Sequence, residues 1–461
     1  MKKFFGSRAF YRTVFTLAVP FLLQNAISTF VNLLDNLMVG RVGTEPMSGV
    51  AIVNQILFVY NLCLFGGSSG AGIFSAQFHG RGDVEGQRSC LRYNLILLVG
   101  FTCLALAILL PFGDELIGTF LHGEKGNLSA TLSYGHDYLR CMLPGLLPFA
   151  VTNAYTSILR AGGESSLPMK ASVSAIIVNL VFNWILIFGK LGCPALGVKG
   201  AAIATVLSRY VEAFLIVFFS HRNKNRYPYT DGLMSTLKIP VTLLKKISVK
   251  GLPLLLNEMF WSLGQTVLNQ CYSLRGLTAV AALNINSVVQ NLFNTVFLTL
   301  GNCVGILLGN ALGSGDFQRA KEDCPRLIAL SFFAAGGCAA LMALASPYIP
   351  LLYNTLPEVQ ELAGRFMQVC ALMIPLHAIT NASYFTLRSG GRTMITILFD
   401  SAFTWATYVP CAEVLARCTS LPVLWIFAIV NAIEIIKATI GILLVKKGIW
   451  IRNIIETEAQ A

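Results

Sequence analysis

Thr152-Asn-Ala-Tyr-Thr-Ser-Ile-Leu-Arg160-Ala-Gly-Gly163 returns 228 residues later as Thr380-Asn-Ala-Ser-Tyr-Phe-Thr-Leu-Arg388-Ser-Gly-Gly391. Earlier in the chain the same relation holds at an offset of 233. There Pro20, Leu22, Leu23, Asn36, Gly43, Ile52, Gly72, Gly80, Gly82 and Asp83 answer to Pro253, Leu255, Leu256, Asn269, Gly276, Ile285, Gly305, Gly313, Gly315 and Asp316. The second half of the chain therefore repeats the first. Both halves consist of long apolar runs, and two like halves in a bilayer point to a transporter, with a cleft between lobes that opens to either side.

Composition sets the environment. Apolar residues make up 55% of the 461 residues and charged residues 12%, about half the charged share of a soluble domain. Many apolar runs reach the roughly 20 residues that cross hydrocarbon. The predicted spans are about 14–38, 47–77, 90–111, 130–158, 168–188, 197–220, 247–273, 278–312, 325–346, 359–387, 393–416 and 420–445. The expected fold is thus an all-α polytopic membrane protein of twelve transmembrane helices in two six-helix lobes. The lobes are 1–222 and 247–461, with the polar stretch 223–246 as a cytoplasmic linker. An even number of spans per half makes both halves enter the membrane from the same side. They are therefore parallel repeats about a pseudo-two-fold axis along the membrane normal.

The net charge of +12 follows membrane orientation and argues against a nucleic-acid partner. With the N-terminus cytoplasmic, inner segments hold 24 of the 34 Lys and Arg residues, from Lys2 and Lys3 through Lys245, Lys246 and Lys250 to Arg452. That bias places both termini in the cytoplasm of a multi-pass plasma-membrane or inner-membrane protein. The first apolar run continues through Asn25, Asn32 and Asp35 without a small-residue cleavage site, so no cleavable signal peptide is expected. The 12 cysteines show neither zinc nor disulfide spacing.

Enzyme classes find no support. The chain has no Walker A string, no HExxH and no nucleophile elbow, and no cofactor is implied. Gly67-Ser-Ser-Gly-Ala-Gly72 lies inside an apolar run, where small residues serve close helix packing. The repeated loops Gly80-Arg-Gly-Asp83 and Gly313-Ser-Gly-Asp316 read as tight turns and helix stops.

Chemistry rests with groups inside the spans. A carboxylate at mid-bilayer costs about 2.5–3.5 kcal/mol on insertion scales and by default marks function. Asp35 lies in the first span and Glu258 in the seventh. In the repeat Asp35 answers to Leu268 and Glu258 to Asn25, so neither is symmetric. Asp35 is 15 residues past its proline and Glu258 only 5. At about 1.5 Å per residue that difference separates them by roughly 15 Å in depth, which makes two sites and not a shared dyad. Arg209 with Glu212, and Glu434 with Lys437, have the i, i+3 spacing of pairs that neutralise one another along a helix. Asn153, Asn179 and Asn183 are uncharged polar groups in spans, with hydrogen bonding between helices as their alternative role. His377 follows Pro375 and is a group that titrates near neutral pH. Phe21, Phe30, Phe260, Trp261 and Tyr272 are candidate cleft walls, whose rings suit planar cations.

With these residues assembled, the chain resembles the MATE family of multidrug and toxic compound extrusion transporters over nearly its whole length. The most specific pieces are Pro20 through Asp35-Asn-Leu-Met-Val-Gly-Arg-Val-Gly43, Gly80-x-Gly-Asp83, the two Leu-Arg-x-Gly-Gly strings and Asn179-x-x-x-Asn183-x-x-Leu-Ile-Phe-Gly189. The resemblance implies twelve helices around a V-shaped cleft. It also implies export of bulky, often cationic compounds in exchange for Na⁺ or protons, without ATP. It makes Asp35 the ion-coupling group and candidate Na⁺ ligand, with Asn153 and Asn179 as polar partners, and puts Glu258 on a seventh-helix acid used in one branch. Two departures stand out: His377 replaces a tenth-helix Asp of one branch, and Asn183 a fifth-helix Asp of another. The partners so implied are small cationic molecules and membrane lipids, and one pair of lobes suffices, so a monomer is expected. The alternative is a flippase or exporter of a lipid-linked or other specific metabolite, which the scarcity of deep Arg and Lys disfavours.

Overall fold

The computed structural model describes residues 5–119, 128–236, 238–353 and 355–455. Lys2, Lys3 and the tail 456–461 lie outside the described residues, as do the side chains of residues 32, 33, 36, 37 and 44, and with them the repeat position Asn36. All regular elements among the described residues are helical. The order is α1 (Arg8–Gly40), α2 (Thr44–Arg81), α3 (Val84–Thr119), α4 (Leu128–Met142), α5 (Leu146–Ala161), α6 (Ser166–Phe188), α7 (Val198–Arg222) and α8 (Val241–Ser273). Then come α9 (Leu277–Gly313), α10 (Phe317–Ala345), α11 (Pro357–Ser389), α12 (Thr393–Ile397), α13 (Val409–Cys418), α14 (Val423–Ala432) and α15 (Glu434–Lys446). A helix satisfies its own backbone polar groups, which an apolar run in hydrocarbon requires.

Ten helices among the described residues are long and apolar enough to cross a membrane. They cover ten of the sequence-predicted spans. The two exceptions have physical causes. The seventh span falls in α8, which opens with Lys245, Lys246 and Lys250 and carries Glu258. It begins at Val241, after Pro240, so the linker expected to reach 246 gives way to helix six residues earlier. The eleventh span is divided into α12, two π-helical pieces at Leu398–Ala402 and Thr404–Tyr408, and α13.

The described residues form two compact units. One is drawn from Met1–Ala18, Ala76–Gly82 and Leu252–Ala461, and the other from Val19–Ser75 and Asp83–Gly251. Large apolar side chains such as Leu110, Phe214, Leu372 and Leu344 are exposed, as suits a lipid-facing surface. Within the Val19–Gly251 unit, Leu64, Leu98, Ile117, Met142 and Leu146 form a core. In the Leu252–Ala461 unit, Phe366, Met367, Cys370 and Phe427 do so. Tyr272, expected at a cleft wall, packs into this second core with its ring 5.5 Å from Phe427. Phe21 is also buried, with the Arg160 guanidinium 3.7 Å from its ring centre, whereas Phe30, Phe260 and Trp261 are exposed.

The repeat appears in the turns. Gly82 and Gly315 both adopt φ +78°, a left-handed turn that glycine enters without strain. Asp83 then accepts the Gly86 amide at 2.9 Å and Asp316 the Arg319 amide at 3.0 Å, capping the helices that follow. In the unit that contains Ala76–Gly82, the ends of α2 and α9 cross in contact. A Cβ on Gly80 would lie 1.9 Å from the Asn310 carbonyl oxygen, and one on Gly313 would lie 1.9 Å from that of Gln77. Gln77 and Asn310 are themselves 233 apart, so the crossing is its own image under the repeat.

The polar stretch after α7 is fastened in place. Arg92 is buried and donates from Nε to the Leu233 carbonyl and from Nη2 to that of Gly232, both at 3.0 Å. Tyr227 donates its hydroxyl to Glu164 at 3.1 Å, and Arg226 forms an ion pair with the same carboxylate.

Candidate functional site

Asp35 sits half-buried in α1, five residues before the helix ends at Gly40. Asn183 donates from Nδ2 to its Oδ1 at 2.6 Å and to Asn179 Oδ1 at 3.1 Å. Asn179 in turn donates to the Thr205 hydroxyl at 3.3 Å. Asn179 and Asn183, one turn apart on α6, share a helix face, so that α1, α6 and α7 meet in one hydrogen-bonded line. Charge-assisted bonds of this kind orient a carboxylate as well as stabilise it. The oxygens gathered here belong to one carboxylate and to amide and hydroxyl groups, hard donors that fit Na⁺ or a shared proton. Of the two expected polar partners, Asn179 is linked to Asp35 through Asn183. Asn153, expected beside them, turns its amide to the Phe149 carbonyl one turn back on α5, at 2.8 Å.

A second polar line runs through the same unit. Arg160 donates to Gln24 Oε1 at 2.6 Å, Gln24 donates to Ser172 at 2.6 Å, and Ser172 donates to Glu212. Arg209 lies 4.6 Å from the Phe149 ring centre.

In the Leu252–Ala461 unit, His377 pairs with Glu434 at 3.4 Å, and Glu434 also accepts the Tyr408 hydroxyl. Lys437 donates to Asp400 Oδ1 at 2.7 Å while Asn257 donates to Oδ2 at 2.9 Å. Glu258, next to Asn257 on α8, is within electrostatic range of Arg388 and Asp400.

The electrostatic pairing expected along single helices, Glu212 with Arg209 and Glu434 with Lys437, is present, and hydrogen bonds from neighbouring helices are added to it. A buried carboxylate has several lone pairs to satisfy, and one cation on its own helix cannot reach them all. Asp400 went unnoticed in the sequence. The signal was present, since it is a carboxylate inside an apolar run, as Asp35 and Glu258 are. π-Helical turns are frequent at functional sites, and Asp400 and Ser401 stand on one. Among the described residues no three His, Cys, Asp or Glu side chains gather in a metal-binding group.

An all-helical, multi-pass membrane protein built from an internal repeat, with carboxylates held in hydrogen-bonded lines, is the class defined so far. The MatE family model matches residues 20–185 and again 253–403, one match in each half, and the chain belongs to the MatE family. A probable multidrug resistance protein NorM of Thermotoga maritima is 25% identical over 443 residues, covering 96% of this chain and 93% of the relative. The probable multidrug resistance protein YoeA of Bacillus subtilis is 24% identical over 418 residues, covering 90% and 89%. Among solved structures, the outward-facing conformation of a multidrug resistance MATE family transporter superposes with a TM-score of 0.83 at 22% identity, covering 94% of each chain. The Vibrio cholerae MATE transporter VcmN does so at 0.82 and 18% identity, covering 95% of this chain and 97% of its own. These structures share the fold.

Proposed function

We propose that this protein is a secondary active antiporter that exports organic cations or drugs in exchange for Na⁺ or protons by alternating access. In this reading twelve spans form two six-helix lobes, 1–222 and 241–461, joined by a cytoplasmic linker at 223–240, and the protein works as a monomer with both termini in the cytoplasm. No cofactor beyond the coupling ion takes part.

The observation that carries the reading is the Asp35 carboxylate, held by Asn183 and backed by Asn179 on a neighbouring helix. In a low-dielectric site a carboxylate attracts an organic cation, a proton or Na⁺ far more strongly than in water. Whichever cation is bound lowers the affinity for the next, so the outside ion displaces the drug and its inward return resets the cycle. The relatives described as multidrug resistance proteins support the substrate class.

The test is accumulation of ethidium, a fluorescent organic cation, in efflux-deficient cells expressing the protein or its Asp35→Asn variant at equal membrane abundance. The native protein lowers accumulation and the variant does not. Full export by the variant refutes coupling at Asp35.

A further inference from the structure

Three polar contacts of one unit recur at repeat-related positions in the other, with the charges exchanged. Helices α7 and α14–α15 start at Val198 and Val423, 225 apart, and at that offset Arg209 answers to Glu434 and Glu212 to Lys437. At 228, Phe149 answers to His377 and Ser172 to Asp400, and at 233 Gln24 answers to Asn257. Three contacts have counterparts. Arg209 over the Phe149 ring becomes Glu434 against His377. The Ser172–Glu212 bond becomes the Asp400–Lys437 ion pair, and Gln24 to Ser172 becomes Asn257 to Asp400. A framework that in one unit carries its carboxylate on the last helix carries it, in the other, on the π-helical turn. The last helix there supplies a cation.

The Asp400 centre has the makings of a cation site. Asn257 presents its amide to Asp400 because Ser401 donates to the Asn257 side-chain and main-chain oxygens, at 2.7 Å each. The Tyr384 hydroxyl lies 3.4 Å from the same amide, and Glu258 is within electrostatic range. The Asp400 carboxylate and the Tyr384 hydroxyl are hard oxygens of the kind that hold an alkali cation or a proton. Yet both Asp400 oxygens are already engaged, Oδ1 by the ammonium of Lys437, which is only 6% exposed.

We propose that Lys437 is a tethered cation that permanently occupies the Asp400 centre, so that this unit takes up no coupling ion and exchange runs through Asp35 alone. This inference rests on the antiport reading above. A cation on the protein's own side chain competes without loss of translational freedom, and a second cation beside it meets like-charge repulsion in a medium of low dielectric. Glu434 also has His377 and Tyr408 as partners, and it is to Asp400 that the Lys437 ammonium donates its hydrogen bond.

The experiment reconstitutes the full chain in liposomes and finds the membrane potential at which net ethidium flux reverses under imposed Na⁺ or proton gradients. That potential gives the number of coupling cations per ethidium. Replacing the ammonium by an amide frees Asp400, and Lys437→Gln is expected to raise that number by one over the parent. An unchanged number in an exporting variant overturns the inference. Should Lys437→Gln fail to insert because Asp400 is left unpaired, Asp400→Asn combined with Lys437→Gln removes the pair together. The double variant is expected to export with the parental number, and loss of coupling in it would make Asp400 a coupling group and overturn the proposal. Parental export indifferent to both gradients would instead defeat the antiport reading, and this inference with it.

Discussion

The crossing of α2 and α9 provides the sharpest mechanical prediction. Replacing Gly313 by Ala puts a methyl 1.9 Å from the Gln77 carbonyl oxygen, where ordinary contact begins at 3.4 Å. The obstacle is backbone on both sides and cannot rotate away, so the helices must part by about 1.5 Å. Overpacking of this sort costs about 1–3 kcal/mol, and the parting also loosens the packing that flanks it. Gly80→Ala meets the Asn310 carbonyl at the same 1.9 Å and should cost as much. One opening accommodates both methyls, so the double variant should lose less than the sum of the singles. The control is Gly100→Ala in α3, where an added Cβ meets nothing within 4 Å. It should gain about 0.5–1 kcal/mol from the lower backbone entropy of alanine. The assay is thermal unfolding of the detergent-solubilised variants followed by tryptophan fluorescence. Midpoints for Gly80→Ala and Gly313→Ala equal to that of Gly100→Ala would refute the crossing geometry and the argument built on it.

Two further predictions concern the stretch after α7. Arg92→Ala removes bonds from a buried guanidinium to backbone carbonyls, each worth about 1.5–3 kcal/mol, and should speed cleavage within residues 223–240 in limited proteolysis, while Arg92→Lys rescues only in part. The Tyr227 phenol is pushed up to about 12 by burial and by the Glu164 carboxylate beside it. A group whose folded pKa is raised stabilises the fold below its unfolded value, near 10 for tyrosine, and that stabilisation is lost as pH climbs towards 12. The stretch should accordingly become protease-sensitive across that alkaline window, and Tyr227→Phe should shift the onset to higher pH; an unshifted onset counts against the Tyr227–Glu164 contact.

Asp35 and Asp400 show where reading residues succeeds and where it stops. Asp35 was legible because a charge in an apolar run is costly wherever the helix packs, and its α6 partners occur at i and i+4, a spacing that survives any packing. Glu212, Glu434 and Lys437 were visible as charges too, but the groups that hydrogen-bond them lie on other helices. Which neighbouring helix supplies Ser172, His377 or Asp400 depends on rotation about each helix axis, and residue spacing does not contain that angle. Asn153 illustrates the same limit, since its amide satisfied itself on its own helix.

The amino-acid sequence by itself determined the helical, membrane-embedded class, the internal repeat, the glycine turns, and the carboxylate at position 35. Each follows from local chemistry: the cost of bare backbone in hydrocarbon, the freedom of glycine at positive φ, and the cost of a charge away from water. Only tertiary structure decided that the stretch after α7 is held through Arg92 and Tyr227, that glycines 80 and 313 face opposing carbonyls, and that the Lys437 ammonium donates to Asp400. Those outcomes turn on distances between segments far apart in the chain, and close packing sets such distances for the whole assembly at once.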